Sequence, residues 1–371
     1  MAIRWRASNE RHCHRKEDGM SGARRSLQAI LTGVLGMSMA VALSARAADQ
    51  DNARTLSFTY EAEVPAQPAG TGPIDVFIPL AATDAHQTIL RHDVKASIPG
   101  RETIESRYGN KVWHGHVDRS DGKPITVVVD YIIQRRVFKQ QRLASAGIRA
   151  YSPSERKELA LALGPDLRVP ISGPLIDMVR AELPHTDPSA LARARAIYDY
   201  VIDNMEYKKV GTGWGNGDTF WACTKRYGNC TDFHALFISL ARAEGIPAQF
   251  EIGFPVPEDR TSGAIDGYHC WTEFHLPDVG WFPIDASEAW KRKERRDFYF
   301  GTQPADRIQF SMGRDLELGD GHTTGPLNYF IYPHVEVAGK RLDNVKRGFR
   351  FSEIPDADVA QKLSLRGSLE E

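Results

Sequence analysis

A thiol, an imidazole and a carboxylate follow one another along this chain in three short motifs: Gly-Asn-Cys230, Tyr-His269-Cys-Trp-x-Glu273 and Gly-Trp-Phe-Pro-Ile-Asp285. A cysteine is a strong nucleophile only as its thiolate, and it needs a base to take its proton and later return one to the leaving group. A third group must hold that base in the useful tautomer. Cys230, His269 and Asp285 fill these roles once each. The chemistry they allow is attack on an amide or ester carbonyl, with a thioester that water or an amine then releases.

The segments around these residues are what must bring them together. Phe233, Leu236, Phe237, Leu240 and Ala241 follow Cys230 at helical spacing, and the run stops at Gly245-Ile-Pro247. Cys230 is therefore expected at a helix N-terminus, where unpaired N–H groups and the positive end of the macrodipole favour a thiolate. The same N–H groups suit the oxygen of a tetrahedral intermediate. Asp232 reads as a cap for this helix. Residues 268–276 read as a strand, with His269, Trp271, Glu273 and His275 on one face and Cys270, Thr272, Phe274 and Leu276 on the other. That parity sends Cys270 into the core, away from His269. If Leu276 pairs with Gly280, the returning strand at 280–286 sets Asp285 opposite Trp271 and diagonal to His269. A slip of one residue would turn it away.

These motifs, together with the Gly245-Ile-Pro-Ala ending of the helix, resemble the core of the transglutaminase-like superfamily of cysteine acyltransferases and proteases. The likeness extends over about residues 150–345, with Gly313-Arg-Asp-Leu316 and Asn328-Tyr-Phe-Ile-Tyr-Pro-His-Val-Glu336 as later core segments. It implies an α+β, papain-like fold in which the nucleophile helix packs on an antiparallel sheet, with Cys230, His269 and Asp285 catalytic. It leaves the reaction open, since the superfamily includes crosslinkers, proteases, amidases and inactive binding forms. The chain lacks the length, extra β-domains and acidic calcium loop of the animal crosslinking enzymes, so no cofactor is expected. Those enzymes use an upstream tryptophan to support the oxyanion. Trp214 is the nearest candidate here, with ring packing as the competing role, and Trp271 is the other candidate for the oxyanion or the cleft wall.

Cys223, Cys230, His234, His269 and Cys270 are also residue types that bind zinc, but their spacing matches no zinc ribbon or finger. No metal site is expected. In an oxidising compartment Cys223 is a candidate partner for a regulatory disulfide with Cys230.

The rest of the sequence bounds the setting. Its 371 residues, 26 % of them charged, describe one or two globular domains. Arg24-Arg25, the apolar run at 27–43 and Ala45-Arg-Ala47 read as a signal peptide cleaved near Ala47, with translation starting at Met20 rather than Met1. The run is broken by Gly33 and Gly36 and is short of the roughly 20 apolar residues of a bilayer crossing. A periplasmic or secreted product with no membrane span is expected. Removing residues 1–47 takes Lys and Arg from 47 to 39 and Asp and Glu from 48 to 45, a net charge of −6 that makes nucleic acid an unexpected partner. Three cysteines remain, an odd count that leaves at least one thiol free.

Period-two patterns at 56–64, 74–80 and 125–138 predict an all-β, sandwich-like domain over residues 50–142. His114 and His116 flank Gly115 there, with metal binding by the pair as the lesser reading; the domain reads as a scaffold or a partner-binding module. Helical spacing takes over between 151 and 206, with Ser154 as a cap and Leu191, Ala194, Ile197, Tyr198 and Val201 on one buried face. The catalytic domain is expected at 150–345 and a C-terminal tail at 346–371. The sum is an exported cysteine amide hydrolase or acyltransferase acting on peptide or protein amides. The alternative is a non-catalytic exported peptide- or protein-binding member of the same fold.

Overall fold

Strand β1 (Ala53–Val64) buries every second residue from Leu56 to Val64, the alternation expected of a strand with one face on a core. The computed structural model describes residues 53–140, 147–184 and 189–364. The signal peptide, the start at Met20, the cleavage near Ala47 and residues 365–371 of the tail lie outside them.

β1 is the middle strand of a five-stranded sheet in the order β11 (Ser262–Ala264), β18 (Lys346–Glu353), β1, β6 (Ile125–Arg136) and β3 (Gln87–Ala96). A second five-stranded sheet runs β17 (Lys340–Arg341), β16 (His334–Val337), β2 (Ile74–Leu80), β5 (Lys111–Val117) and β4 (Gly100–Ile104). The expected N-terminal strands are present, but both sheets are completed by the far end of the chain. Where the sequence reads as the start of a tail, β18 pairs with β1 from Leu56↔Glu353 to Glu63↔Lys346. The cause is the aromatic pair Phe349 and Phe351 at period-two spacing. Phe349 lies 4.9 Å from the Tyr60 ring and 4.3 Å from the Phe254 ring, centroid to centroid, contacts worth about 0.5–1.5 kcal/mol each beyond area burial. The described residues, from Ala53 to Ser364, belong to one compact unit.

A third, antiparallel sheet carries the residues of interest: β13 (Gly280–Ile284), β12 (His269–Leu276), β10 (Ala248–Pro255) and β15 (Arg307–Met312). Two-residue ladders join β7 (Phe138–Lys139) to β14 (Thr302–Gln303), and β8 (Glu206–Tyr207) to β9 (Tyr227–Gly228). The helices among the described residues are α1 (Pro153–Glu158), α2 (Ala160–Leu163), α3 (Pro174–Glu182), α4 (Ala190–Asn204), α5 (Thr219–Lys225), α6 (Cys230–Ala243), α7 (Ala286–Lys291) and α8 (Asp356–Ser364). α6 packs on β10 and β12 and is flanked by α4, α5 and α7. This is the α+β arrangement the sequence implies.

Every residue of α6 from Cys230 to Arg242 is buried, so it is a core helix rather than an amphipathic surface one. Phe233, Leu236, Phe237, Leu240 and Ala241 are all at most 1 % exposed, and Phe237→Ala is expected to cost about 3–5 kcal/mol. Gly245, at φ +75°, ends the helix, and the Ile246 N–H reaches back to Ala241 O at 2.9 Å. At α1 the cap is Ser152, not the expected Ser154. Pro153 takes the first helical position, and Ser152 and Glu155 close a reciprocal capping box one residue before it.

Candidate active site

Cys230 is the first residue of α6, and the turn into it is fixed by Asn229 and Asp232. Asn229 caps the helix, its Oδ1 accepting from Thr231 N at 3.0 Å. The Asp232 carboxylate closes the capping box by accepting from Asn229 N at 3.0 Å, and it also accepts from Gly215 N at 2.7 Å and Gly217 N at 3.0 Å. Gly215 and Gly217 have φ of +82° and +55°, a conformation glycine adopts freely. The glycine-rich loop is thereby tied to the start of the helix. As its first residue, Cys230 has no intrahelical acceptor for its own N–H.

The register of β12 with β13 is the one expected, with Leu276 opposite Gly280 and Thr272 opposite Ile284. Asp285 follows directly, and its carboxylate oxygen Oδ2 lies 2.6 Å from His269 Nε2. Asp285 is not the end of a strand, as expected, but the N-cap of α7: its other oxygen accepts from Glu288 N at 2.9 Å and Ser287 Oγ at 3.0 Å. The cap locks the carboxylate in place. Arg307 Nη2, on β15, adds a charge-assisted bond to Asp285 Oδ2 at 3.1 Å, while its Nη1 lies 2.5 Å from Asp306 Oδ1. His269 faces Gly253 across the β10–β12 ladder, next to a break in the β10–β15 register. A Cβ at Gly253 would overlap Ile308 O, so the close approach of β15, and with it Arg307, depends on that glycine.

With Nε2 committed to Asp285, the His269 nitrogen left for Cys230 is Nδ1, and the two groups interact strongly enough to shift each other's protonation. Burial would lower the His269 pKa, but the Asp285 charge and bond outweigh it and push it up to about 9. Burial alone would raise the Cys230 thiol; bonds from Cys270 and His269 and the nearby imidazoles hold it well below its ordinary value. Asp285, despite its burial, is held well below the usual carboxylate range by His269 and Arg307. The arrangement favours a thiolate–imidazolium pair over a neutral thiol and imidazole.

Sequence parity placed Cys270 in the core, and it is fully buried there, yet it also reaches the site from behind. Its sulfur lies 3.5 Å from His234 Nδ1, and it interacts electrostatically with Cys230. His234 Nε2 accepts the Ala286 N–H at 3.2 Å, so its proton is on Nδ1. Burial keeps the ring neutral, with a pKa near 4. His234 lies four residues after Cys230, one helical turn, and that spacing was the available signal for it. Nothing local in the sequence marks Arg307.

The two tryptophans lend no spare donor to this site. Trp214 Nε1 donates to Gly211 O at 3.0 Å within its own loop. Trp271 is 1 % exposed, and its Nε1 lies 2.5 Å from Glu251 Oε2. Its ring sits 6.2 Å from that of His269, so it backs the histidine. The three described cysteines are all free; burial pushes Cys223 up to about 11, and the thiol that meets Cys230 is Cys270. A cavity of about 470 Å³ opens on His269, lined by Tyr207, Tyr268, Glu288, Asp306 and Arg307 among others.

Comparison with known proteins bears on the fold that carries these residues. The pattern of the transglutaminase-like superfamily matches residues 178–286, a stretch that contains Cys230, His269 and Asp285. An uncharacterized protein of Haemophilus influenzae is 24 % identical over 329 residues, covering 77 % of this chain and 86 % of that one. A crystal structure from Cytophaga hutchinsonii, of a candidate cysteine protease, superposes with a TM-score of 0.53 at 18 % identity, covering 82 % of this chain and 98 % of the other. At that identity the likeness establishes the fold.

Proposed function

We propose that this chain, whose residues 178–286 match the transglutaminase-like superfamily, is a cysteine-nucleophile amide hydrolase or acyltransferase acting on peptide or protein amides. One observation carries the reading: the His269 ring is bonded to Asp285 at 2.6 Å through Nε2, and it interacts electrostatically with the Cys230 thiol at the head of a buried helix. The Cys230 thiolate attacks the carbonyl carbon, and the oxyanion that forms is held by the N–H groups at the start of α6. His269 gives its proton to the leaving nitrogen as the C–N bond breaks, which leaves a thioester on Cys230. In the second half His269 takes a proton from water, giving the acid, or from an amine, giving a new amide. Asp285 keeps the imidazole oriented through both halves and stabilises its charge. Arg307 holds Asp285 ionised.

The cavity beside His269 is of a size that takes a few residues of a peptide. It offers both signs of charge, with Lys209, Arg260, Lys291 and Arg292 on one hand and Glu258 and Glu288 on the other, which suits a polar backbone more than an apolar small molecule. Export belongs to this reading through the Arg24-Arg25, apolar and Ala45-Arg-Ala47 segments. Among the described residues no helix is long and apolar enough to cross a membrane.

The test is a peptide-amide cleavage screen run with and without a primary amine, on the wild type and on Cys230→Ser. Turnover in the wild type that disappears in Cys230→Ser is expected, and the amine shows whether nitrogen competes with water for the thioester. Peptides bound equally by both proteins with no turnover would make the chain a non-catalytic binder instead.

A further inference from the structure

Away from this cleft, one face of the second five-stranded sheet carries side chains that have no part in the reaction above. Asp75 on β2 pairs across the sheet with His116 on β5 and with Glu336 on β16, while Phe77 pairs with His114 and His334. Period-two geometry puts all six on the same face. Two groups of metal-ligand type result: Asp75, His114 and His116, and, with a loop residue, His322, His334 and Glu336.

We propose that Asp75, His114 and His116 form a binding site for a divalent transition-metal cation of the zinc class, with an open coordination position toward the adjoining cavity. Two imidazole nitrogens converge on one carboxylate oxygen: His114 Nε2 and His116 Nδ1 each lie 2.8 Å from Asp75 Oδ1. Ligands about 2.0–2.1 Å from a tetrahedral zinc stand roughly 3.3 Å apart, so a shift of about half an ångström admits the ion between them. Their ring orientations are already set. His114 stacks on Phe77 at 4.5 Å and 8°, and His116 Nε2 lies 3.2 Å from Asp118 Oδ1. The Asp118 carboxylate would keep a proton on Nε2 once an ion displaced the Nδ1 proton that now bonds to Asp75, the carboxylate–histidine arrangement of a metal ligand.

The surroundings fit an ion as well. Gly321 closes over the group at a point where a Cβ would overlap Asp75 Oδ1, so the cradle exists only because that residue has no side chain. A cavity of about 460 Å³ adjoins it, lined also by Gly100, Arg101 and Asp320. The Arg101 cation is turned onto Asp320 at 3.3 Å. Asp75 and His114 are buried, while the His116 side chain is 45 % exposed and faces the entry. Two imidazoles and one carboxylate with an open position are a donor set that zinc, cobalt and ferrous iron accept, and that calcium and magnesium do not favour.

The neighbouring group does not share these properties. His322 Nδ1 accepts the Leu318 N–H at 3.1 Å, so its proton sits on Nε2, the atom a metal would need. The Glu336 carboxylate already accepts from the N–H and hydroxyl groups of Thr323 and Thr324 and lies 3.0 Å from His334 Nε2. The Glu336 carboxylate there is already satisfied, while the protonated His322 Nε2 is buried without a hydrogen-bond partner among the described residues, 4.0 Å from Glu336 Oε1.

The inference does not depend on the proposed catalysis and is tested apart from it. The full chain carrying Cys230→Ser, to remove the reactive thiol, is stripped with a chelator and titrated with Co²⁺ while its visible absorption is followed. About one Co²⁺ per chain, with bands of nitrogen and oxygen ligation and no thiolate charge-transfer band, is the expected result. His116→Gln, a half-exposed change that leaves the fold intact, weakens binding about 10- to 100-fold. Asp75→Asn does the same, and His334→Gln leaves it unchanged. Zn²⁺ alone raises the melting temperature of the parent but not of His116→Gln. Absence of stoichiometric binding, equal binding in His116→Gln, or loss confined to His334→Gln would overturn the assignment.

Discussion

Cys270 Sγ stands 3.5 Å from His234 Nδ1, and through that contact α6 and β12 are joined by polar groups one helical turn from Cys230. Ala286 N–H donates to His234, His234 meets Cys270, and Cys270 in turn helps to hold the Cys230 thiol low. Burial pushes the Cys270 thiol well above its ordinary value, so it stays protonated and donates. Cys270→Ala removes a donor from the Cys230 thiolate and is expected to raise the midpoint of its titration by about one pH unit, about 1.4 kcal/mol. Ultraviolet thiolate absorbance followed against pH checks this, and an unmoved midpoint would remove Cys270 from the site.

Asp285 has two jobs that a single substitution separates. Asparagine keeps the side-chain oxygen that caps α7 but lacks the charge that holds His269 protonated. Asp285→Asn is expected to lower kcat about 10²- to 10⁴-fold with little change in KM. The melting temperature should fall modestly, because Arg307 retains Asp306 as a partner. A fall in KM-linked binding with kcat preserved would assign Asp285 to the substrate pocket instead.

Asp232 accepts from three backbone N–H groups: those of Asn229, Gly215 and Gly217. Asp232→Ala orphans all three, and a loss of about 2–4 kcal/mol is expected in denaturant unfolding. Amide exchange should rise first at 213–217, since that loop loses its tie to α6.

Glu251 is buried against Trp271 and close to Glu273, and burial raises its pKa to about 7. Between the ordinary value of 4.5 and 7 the folded chain holds a proton that the unfolded chain has released. Stability from this group is therefore fully present below about pH 4.5 and declines as pH rises toward 7. Glu251→Gln keeps an acceptor for Trp271 Nε1 and should flatten that decline, measured as melting temperature across the window. An unchanged slope would place the titrating group elsewhere.

Much of the site was legible because its elements are local. The spacing of Phe233, Leu236, Phe237 and Leu240 is enough to draw α6 and put Cys230 at its head, and the Leu276↔Gly280 register follows from a tight turn between two strand patterns. What local pattern hides is whatever depends on distant pairing. Arg307 reaches Asp285 from β15, Asp75 reaches His114 and His116 across a sheet, and Lys346–Glu353 looks like a charged tail until β1 supplies a partner for its two phenylalanines. Asp285 looked like a strand end because its preceding residues alternate. Its capping role becomes visible only with the Glu288 N–H three residues on.

The pH dependence of Cys230 alkylation, in the wild type and in His269→Ala, bears most directly on whether these three residues act together. The folded chain holds the thiol well below its ordinary value of 9 and His269 up at about 9. Wild-type labelling at Cys230 should therefore persist far into the acid range, and His269→Ala should move its midpoint up toward or beyond that of a free thiol. Identical profiles for the two proteins, both with an ordinary or raised thiol midpoint, would contradict a nucleophile paired with His269.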